Sequence, residues 1–184
     1  MNGVMFDTAL AHLVKGGEPT EEILAALLDS SDEAAKLLYA AADGVRAANV
    51  GDGVHLRGLL EFSNICRRGC NYCGLRSANQ GVERYRLQPA EMVALAREAR
   101  DLGFFSLVMQ SGEDPWYTGE LLAEVIREIK RTTQLAITLS VGERDEADYA
   151  LWREAGADRY LLRIETTDRE LFQQLHPDGD LERR

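Results

Sequence analysis

The sequence predicts an α/β fold, with helices first and then a parallel sheet built from about four strand–helix units. Three observations predict it. Residues 1–52 carry apolar side chains at helical spacing only. From residue 53 to 184, short apolar runs of strand length alternate with amphipathic stretches. No low-complexity linker interrupts that alternation, and strands apolar along their whole length belong to a parallel sheet covered by helices.

The elements follow in order. "FDTALAHLVKG" has helical spacing and stops at Gly16 and Gly17. "PTEEILAALLDSS" opens on Pro19, a Thr20 cap and two acids, as helix N-termini prefer. "SDEAAKLLYAAADGVRAANVG" has Asp32 and Glu33 in its first turn and ends at Gly51. "VHLRGLLEFSN" alternates and then runs apolar, which predicts a strand over 54–64. Helices are then predicted at 89–103, 118–133 and 143–156, each leading into a strand, at 104–110, 135–141 and 159–165. A last helix starts in "TDRELFQQLH". Polar residues gather at the strand C-terminal ends, the face on which a (β/α) barrel builds its chemistry. About four units do not close a barrel of eight. The sheet is therefore either a small doubly wound one or an incomplete TIM-type (β/α) barrel.

A chain of 184 residues, 45% apolar and 28% charged, has the balance of a globular protein with one sizeable core. Its net charge of −10 repels phosphate backbones and anionic lipid, so neither nucleic acid nor membrane is expected as a partner. No run approaches the roughly 18 apolar residues of a membrane span. The opening "MNGVMFDTALAHLVKGGEP" has no basic stretch ahead of an apolar one, so no export signal is expected and a cytoplasmic location is.

All three cysteines, Cys66, Cys70 and Cys73, lie in "EFSNICRRGCNYCGLR", spaced C-x3-C-x2-C in the loop after the first strand. So tight and odd a set is metal-binding or redox chemistry rather than a disulfide framework. A thiolate zinc-binding module would need a fourth ligand, and none of His12, His55 and His176 stands at the short zinc spacing. Electron-transfer clusters also take four cysteines. Three thiolates suit an assembly that keeps one position open. On a 4Fe–4S cluster they hold three irons, and the fourth is free to chelate S-adenosyl-L-methionine, whose reductive cleavage gives a deoxyadenosyl radical.

This spacing, with Tyr72 just before the last cysteine, resembles the signature of the radical S-adenosylmethionine (radical SAM) superfamily. "VHLRGLLEFSNICRRGCNYCGLR", "RYRL", "QSGEDPWY", "ITLSVGE" and "GADRYLLRIET" resemble one branch in particular, the HydE-type maturases of FeFe-hydrogenase. Methylornithine synthase shares the "GEDP" and "RYLLR" segments, and biotin synthase is a more distant branch. The resemblance implies an enzyme with Cys66, Cys70 and Cys73 as cluster ligands. It implies S-adenosylmethionine contacts at Ser140, Glu165 and Arg184, a "GGE"-like segment at Ser111, Gly112 and Glu113, and cavity surroundings at Gln110, Thr138 and Arg163. Read without it, "QSGEDP" is a turn and helix cap, Thr138 and Ser140 are plain strand residues, Arg163 and Glu165 satisfy each other, and Arg184 is an exposed tail residue. Arg67, Arg68, Arg76, Arg84 and Arg86 crowd the loop, either to offset an anionic cluster, to dock an electron donor, or as a solvated face.

The resemblance further implies assembly of the hydrogenase H-cluster and a small-molecule, sulfur-containing or organometallic substrate. A reductant such as ferredoxin or flavodoxin and other hydrogenase maturases are the partners it implies. Members have a complete barrel, so this chain resembles the N-terminal part of one: a helical segment at 1–52 and a truncated barrel domain at 53–184. An N-terminal fragment without activity is the corresponding alternative.

Overall fold

The computed structural model describes residues 2–184, with side chains from Met5 onward. It divides into two compact units, 1–55 and 56–184. The first holds α1 (Asn2–Val14), α2 (Glu21–Leu28) and α3 (Asp32–Val50). Thr20 and Ser31 cap α2 and α3 by accepting from the amides of Ile23 and Ala34, both at 3.4 Å. Phe6, Ala9 and Leu27 are buried among Leu10, Leu13, Ile23, Ala26, Ala34 and Leu38, so the apolar stripes of these helices are core.

The second unit alternates β1 (Gly58–Ser63), α4 (Pro89–Asp101), β2 (Ser106–Ser111), α5 (Gly119–Thr133), β3 (Ala136–Ser140), α6 (Glu146–Ala155), β4 (Arg159–Tyr160) and α7 (Arg169–Leu175). The four strands are parallel and stand in chain order, β1-β2-β3-β4. This is the α/β arrangement of a partial (β/α) barrel. Local chemistry sets the helix starts. Pro89 opens α4 while Glu91 accepts from the Gln88 amide at 2.6 Å, Thr118 caps α5, and Asp168 caps α7.

The two-residue period of each strand separates the faces of the sheet. Leu60, Phe62, Leu107, Met109, Ile137 and Leu139 point to the helices and join Met92, Ala96, Leu122, Ile126, Ile129 and Trp152 in one core. The other face carries Leu59, Glu61, Val108, Gln110, Thr138 and Ser140. Register aligns Glu61, Gln110 and Ser140 in one row and Leu59, Val108 and Thr138 in the next. Leu59 keeps 59% exposure there.

All four strands are shorter than expected, the first and the last by the most. The first begins at Gly58 rather than Val54, because β2 starts at Ser106 and its first pairing is Leu107 with Gly58. The fourth covers only Arg159–Tyr160 instead of 159–165. After Leu161 donates to the Leu139 carbonyl, the chain leaves the ladder and makes a tight turn. There Thr166 donates back to Ile164 at 2.8 Å, and Glu165 takes a left-handed φ of 64°. Arg163 and Glu165 therefore lie beyond the strand, not on one of its faces.

Candidate functional site

The cysteine loop is folded by its own polar side chains. Buried Asn64, just past β1, donates to the Glu83 carbonyl at 2.7 Å and accepts from the Tyr85 amide at 2.8 Å, latching the two ends of the loop together. Arg84 then reaches into it, donating to the carbonyls of Asn64, Leu75, Arg76 and Asn79 at 2.5–3.1 Å. One guanidinium thus satisfies four main-chain acceptors that no helix or sheet satisfies. Cys66, Cys70 and Cys73 are all half-buried free thiols on this loop.

The loop is pinned to the end of β2. Gly112 donates to the Ser63 carbonyl at 3.0 Å, and a Cβ at Gly112 would collide with the Ile65 carbonyl and with Cys66, so only glycine allows this approach. The next amide, of Glu113, points at Cys66 Sγ at 3.3 Å. The Glu113 side chain is 5% exposed and fully engaged: Arg67 and Arg68 donate to it at 2.7 and 2.9 Å, and the Glu143 amide at 3.2 Å. Burial pushes its carboxyl up, but the Arg68 and Arg67 hydrogen bonds outweigh that and hold it below the usual range. Gly142, at a φ of 81°, lets the end of β3 pass close to the same carboxylate.

Asp114 repeats the logic one residue on. It is buried, accepts from Ser63 Oγ at 2.8 Å and takes a two-point hydrogen bond from Arg86 at 2.7 and 3.0 Å. Burial opposes its ionisation, yet Arg86 and Ser63 keep the carboxyl below its ordinary value. Tyr117 closes the segment, donating to the Phe62 and Leu87 carbonyls. "GEDPWY" is thus a clamp that fixes β2 to β1 and to the loop.

A second group comes from the chain after β3. Glu143 accepts from Arg68 at 2.7 Å and from Arg184 at 2.6 Å. Arg184 also donates to the Arg163 carbonyl at 2.8 Å and lies over the Phe172 ring. Its side chain is 9% exposed, so it is an anchored residue and not a free tail. Arg163 and Glu165 make only a loose pair at 4.0 Å. His176, at the C-terminal end of α7, sets Nδ1 3.3 Å from Cys70 Sγ, while its ring contacts Tyr72 and Phe172. Burial and the Arg184 charge lower its pKa. Burial, then Asp178 and the other two cysteines, push the Cys70 thiol up. Tyr72, half-exposed beside Cys70, is pushed up to about 12 by partial desolvation of its hydroxyl and by the Cys70 charge.

The structure therefore brings Cys66, Cys70, Cys73, Gly112, Glu113, Arg184 and the neighbouring Glu165 to one end of the sheet. Ser111 closes β2, with its hydroxyl donating to the Gly112 carbonyl. Thr138 and Ser140 lie on the open sheet face, Ser140 level with Gln110. The five arginines have structural duties: Arg67 and Arg68 hold Glu113, Arg76 donates to the Cys73 carbonyl, Arg84 folds the loop and Arg86 holds Asp114. Sequence reasoning missed Glu143 and gave His176 no role beside the thiols. Its only signal was a lone histidine in the "LHPDG" turn that follows the last helix. As a donor set, three thiols with an amide and an imidazole on their sulfurs fit a thiolate-ligated metal group. Among the described residues, no three His, Cys, Asp or Glu side chains converge on one point as ligands of a single ion do.

Comparison with known proteins is consistent across sequence and structure. The family model described as the radical SAM superfamily matches residues 60–184. The chain is 45% identical over 168 residues to the [FeFe] hydrogenase maturase subunit HydE of Thermotoga maritima, covering 91% of this chain and 48% of that protein. It is 32% identical over 166 residues to the 3-methylornithine synthase of Methanosarcina acetivorans, covering 89% of this chain and 47% of that protein. The crystal structure of methylornithine synthase (PylB) superposes with a TM-score of 0.85 at 29% identity, over 95% of this chain and 52% of that one. The chain spans about half the length of the curated relatives it matches.

Proposed function

Because the chain belongs to the radical SAM superfamily, we propose that Cys66, Cys70 and Cys73 hold a 4Fe–4S cluster with one iron left for S-adenosyl-L-methionine. We assign the protein to HydE-type maturation of the FeFe-hydrogenase H-cluster. One observation carries the reading: all three thiols sit on a single latched loop at the C-terminal end of β1, beside the ends of β2 and β3. When bound, the two cofactors supply reductive cleavage of a carbon–sulfur bond and so an organic radical.

The protein's own work is to position. Gly112 and the Glu113 amide hold Cys66 against β2, and the Glu113 carboxylate ties Arg67 and Arg68 down so that the loop keeps its shape. Arg184, fixed by Glu143, presents a cation to the nucleoside's carboxylate, while Glu165 and Ser140 serve as its hydrogen-bond acceptors and donors. Ser111, Thr138, Arg163 and Gln110 line the surroundings. The substrate class is a small sulfur-containing or organometallic molecule, with a reductant such as ferredoxin or flavodoxin and other hydrogenase maturases as partners. The identity to the Thermotoga maritima protein supports this branch over methylornithine synthase chemistry.

The test is anaerobic incubation of the iron- and sulfide-reconstituted chain with S-adenosylmethionine and dithionite. Deoxyadenosine release that disappears in Cys66→Ala, Cys70→Ala and Cys73→Ala supports the reading. Its absence from a fully loaded chain overturns activity in this chain alone.

A further inference from the structure

His176 makes a contact that positioning alone does not require. The side chain is 1% exposed, and its Nε2 is buried with no hydrogen-bond partner. An unpaired buried nitrogen is costly, and phenylalanine would pack between Tyr72 and Phe172 without that cost. The polar contact given for the ring is Nδ1 to Cys70 Sγ, at 3.3 Å.

The chemistry of that contact fixes its direction. A metal-bound thiolate carries no proton, so the hydrogen between the two atoms must sit on Nδ1. The bare lone pair then falls on Nε2, the atom without a partner. An N–H donated to a cluster sulfur stabilises the more negative, reduced state and raises the reduction potential. The cysteine loop already receives one such donor, from the Glu113 amide to Cys66. His176 supplies a second, to a different sulfur, from the far end of the chain.

We infer that His176 tunes the redox poise of the proposed cluster by donating from Nδ1 to the Cys70 sulfur. This rests on the cluster reading above. A hydrogen bond to a charged acceptor shifts an equilibrium by about tenfold or more. For a one-electron couple tenfold corresponds to about 59 mV.

The experiment is a redox titration of the reconstituted cluster, without S-adenosylmethionine, in wild type and in three variants. His176→Phe keeps the packing and removes the donor, so the potential falls by the equivalent of about tenfold. His176→Asn places an amide N–H where Nδ1 stood and returns the potential toward wild type. His176→Gln places it at the Nε2 position and does not. Potentials that agree among all four proteins overturn the inference while leaving the cluster intact. If His176→Phe fails to hold iron, the Asn and Gln pair carries the comparison. Pulsed EPR of reduced wild type labelled with 15N-histidine gives a further reading: a nitrogen coupling supports the contact, and its absence overturns it. A wild-type chain that binds no iron refutes the cluster reading instead, and the two failures are told apart by the iron assay.

Discussion

Replacing Gly112 by alanine tests how β2 holds the cysteine loop. The new methyl would lie 2.8 Å from both the Cys66 Cβ and the Ile65 carbonyl carbon, and closer still to the Ile65 oxygen. None of these atoms is the free end of a flexible side chain, so relief requires residues 65–66 and the end of β2 to separate. Carbon atoms pack best at about 3.5–4.0 Å, which sets the movement at about 1 Å. That displacement weakens two anchors, the Gly112 amide on Ser63 at 3.0 Å and the Glu113 amide on Cys66 at 3.3 Å. Overpacking against backbone costs about 1–3 kcal/mol. The stiffer unfolded chain returns about 0.4–1 kcal/mol. A net loss of about 1–2 kcal/mol lowers the melting temperature by about 2–8 °C for a domain of this size. Thermal unfolding followed by circular dichroism measures the first effect, and iron content after reconstitution measures the displaced cysteine. A Gly112→Ala protein with wild-type melting and full iron loading would refute the reasoning.

Three further predictions follow from the same contacts. Arg84→Ala leaves four loop carbonyls without their donor and should cost about 2–3 kcal/mol, with amide exchange in residues 64–84 rising more than elsewhere. Arg84→Lys restores the charge but not the fork and should recover only part of this. Glu165→Gly should be more stable than Glu165→Ala by about 1 kcal/mol, because only glycine takes the left-handed backbone of that turn freely; equal urea midpoints would count against the turn. Asp114 has a folded-state pKa below its unfolded one, so its contribution is full above the ordinary carboxylate range and is lost as pH falls through the depressed value. The acid-side drop in the urea midpoint should therefore be shallower in Asp114→Asn, and an unchanged pH profile would contradict the Arg86 pairing.

Periodicity carried the helices and their alternation with parallel strands, because a covered parallel sheet writes its core directly into apolar runs such as "LAITLSV"; the strand order β1-β2-β3-β4 came from the structure. The cysteine spacing likewise marked the loop. What the sequence left unread depends on contacts between distant segments. The last strand looked seven residues long because "RYLLRIE" is apolar enough, yet the turn at Glu165 ends its pairing after two. Five arginines near the thiols suggested a charged surface, and their partners turned out to be buried acids and loop carbonyls in neighbouring segments. That the Glu113 carboxylate is shared by two guanidiniums is likewise invisible in "QSGEDP". Cys70 and His176 meet from opposite ends of the second unit, a pairing that no local pattern encodes.

Iron and acid-labile sulfide content of the anaerobically reconstituted chain, read with its visible absorption, tests the central claim most directly. A 4Fe–4S cluster on three thiolates gives about four irons and four sulfides per chain, lost when Cys66, Cys70 or Cys73 becomes alanine. Stoichiometric zinc with no iron–sulfur absorption would contradict it.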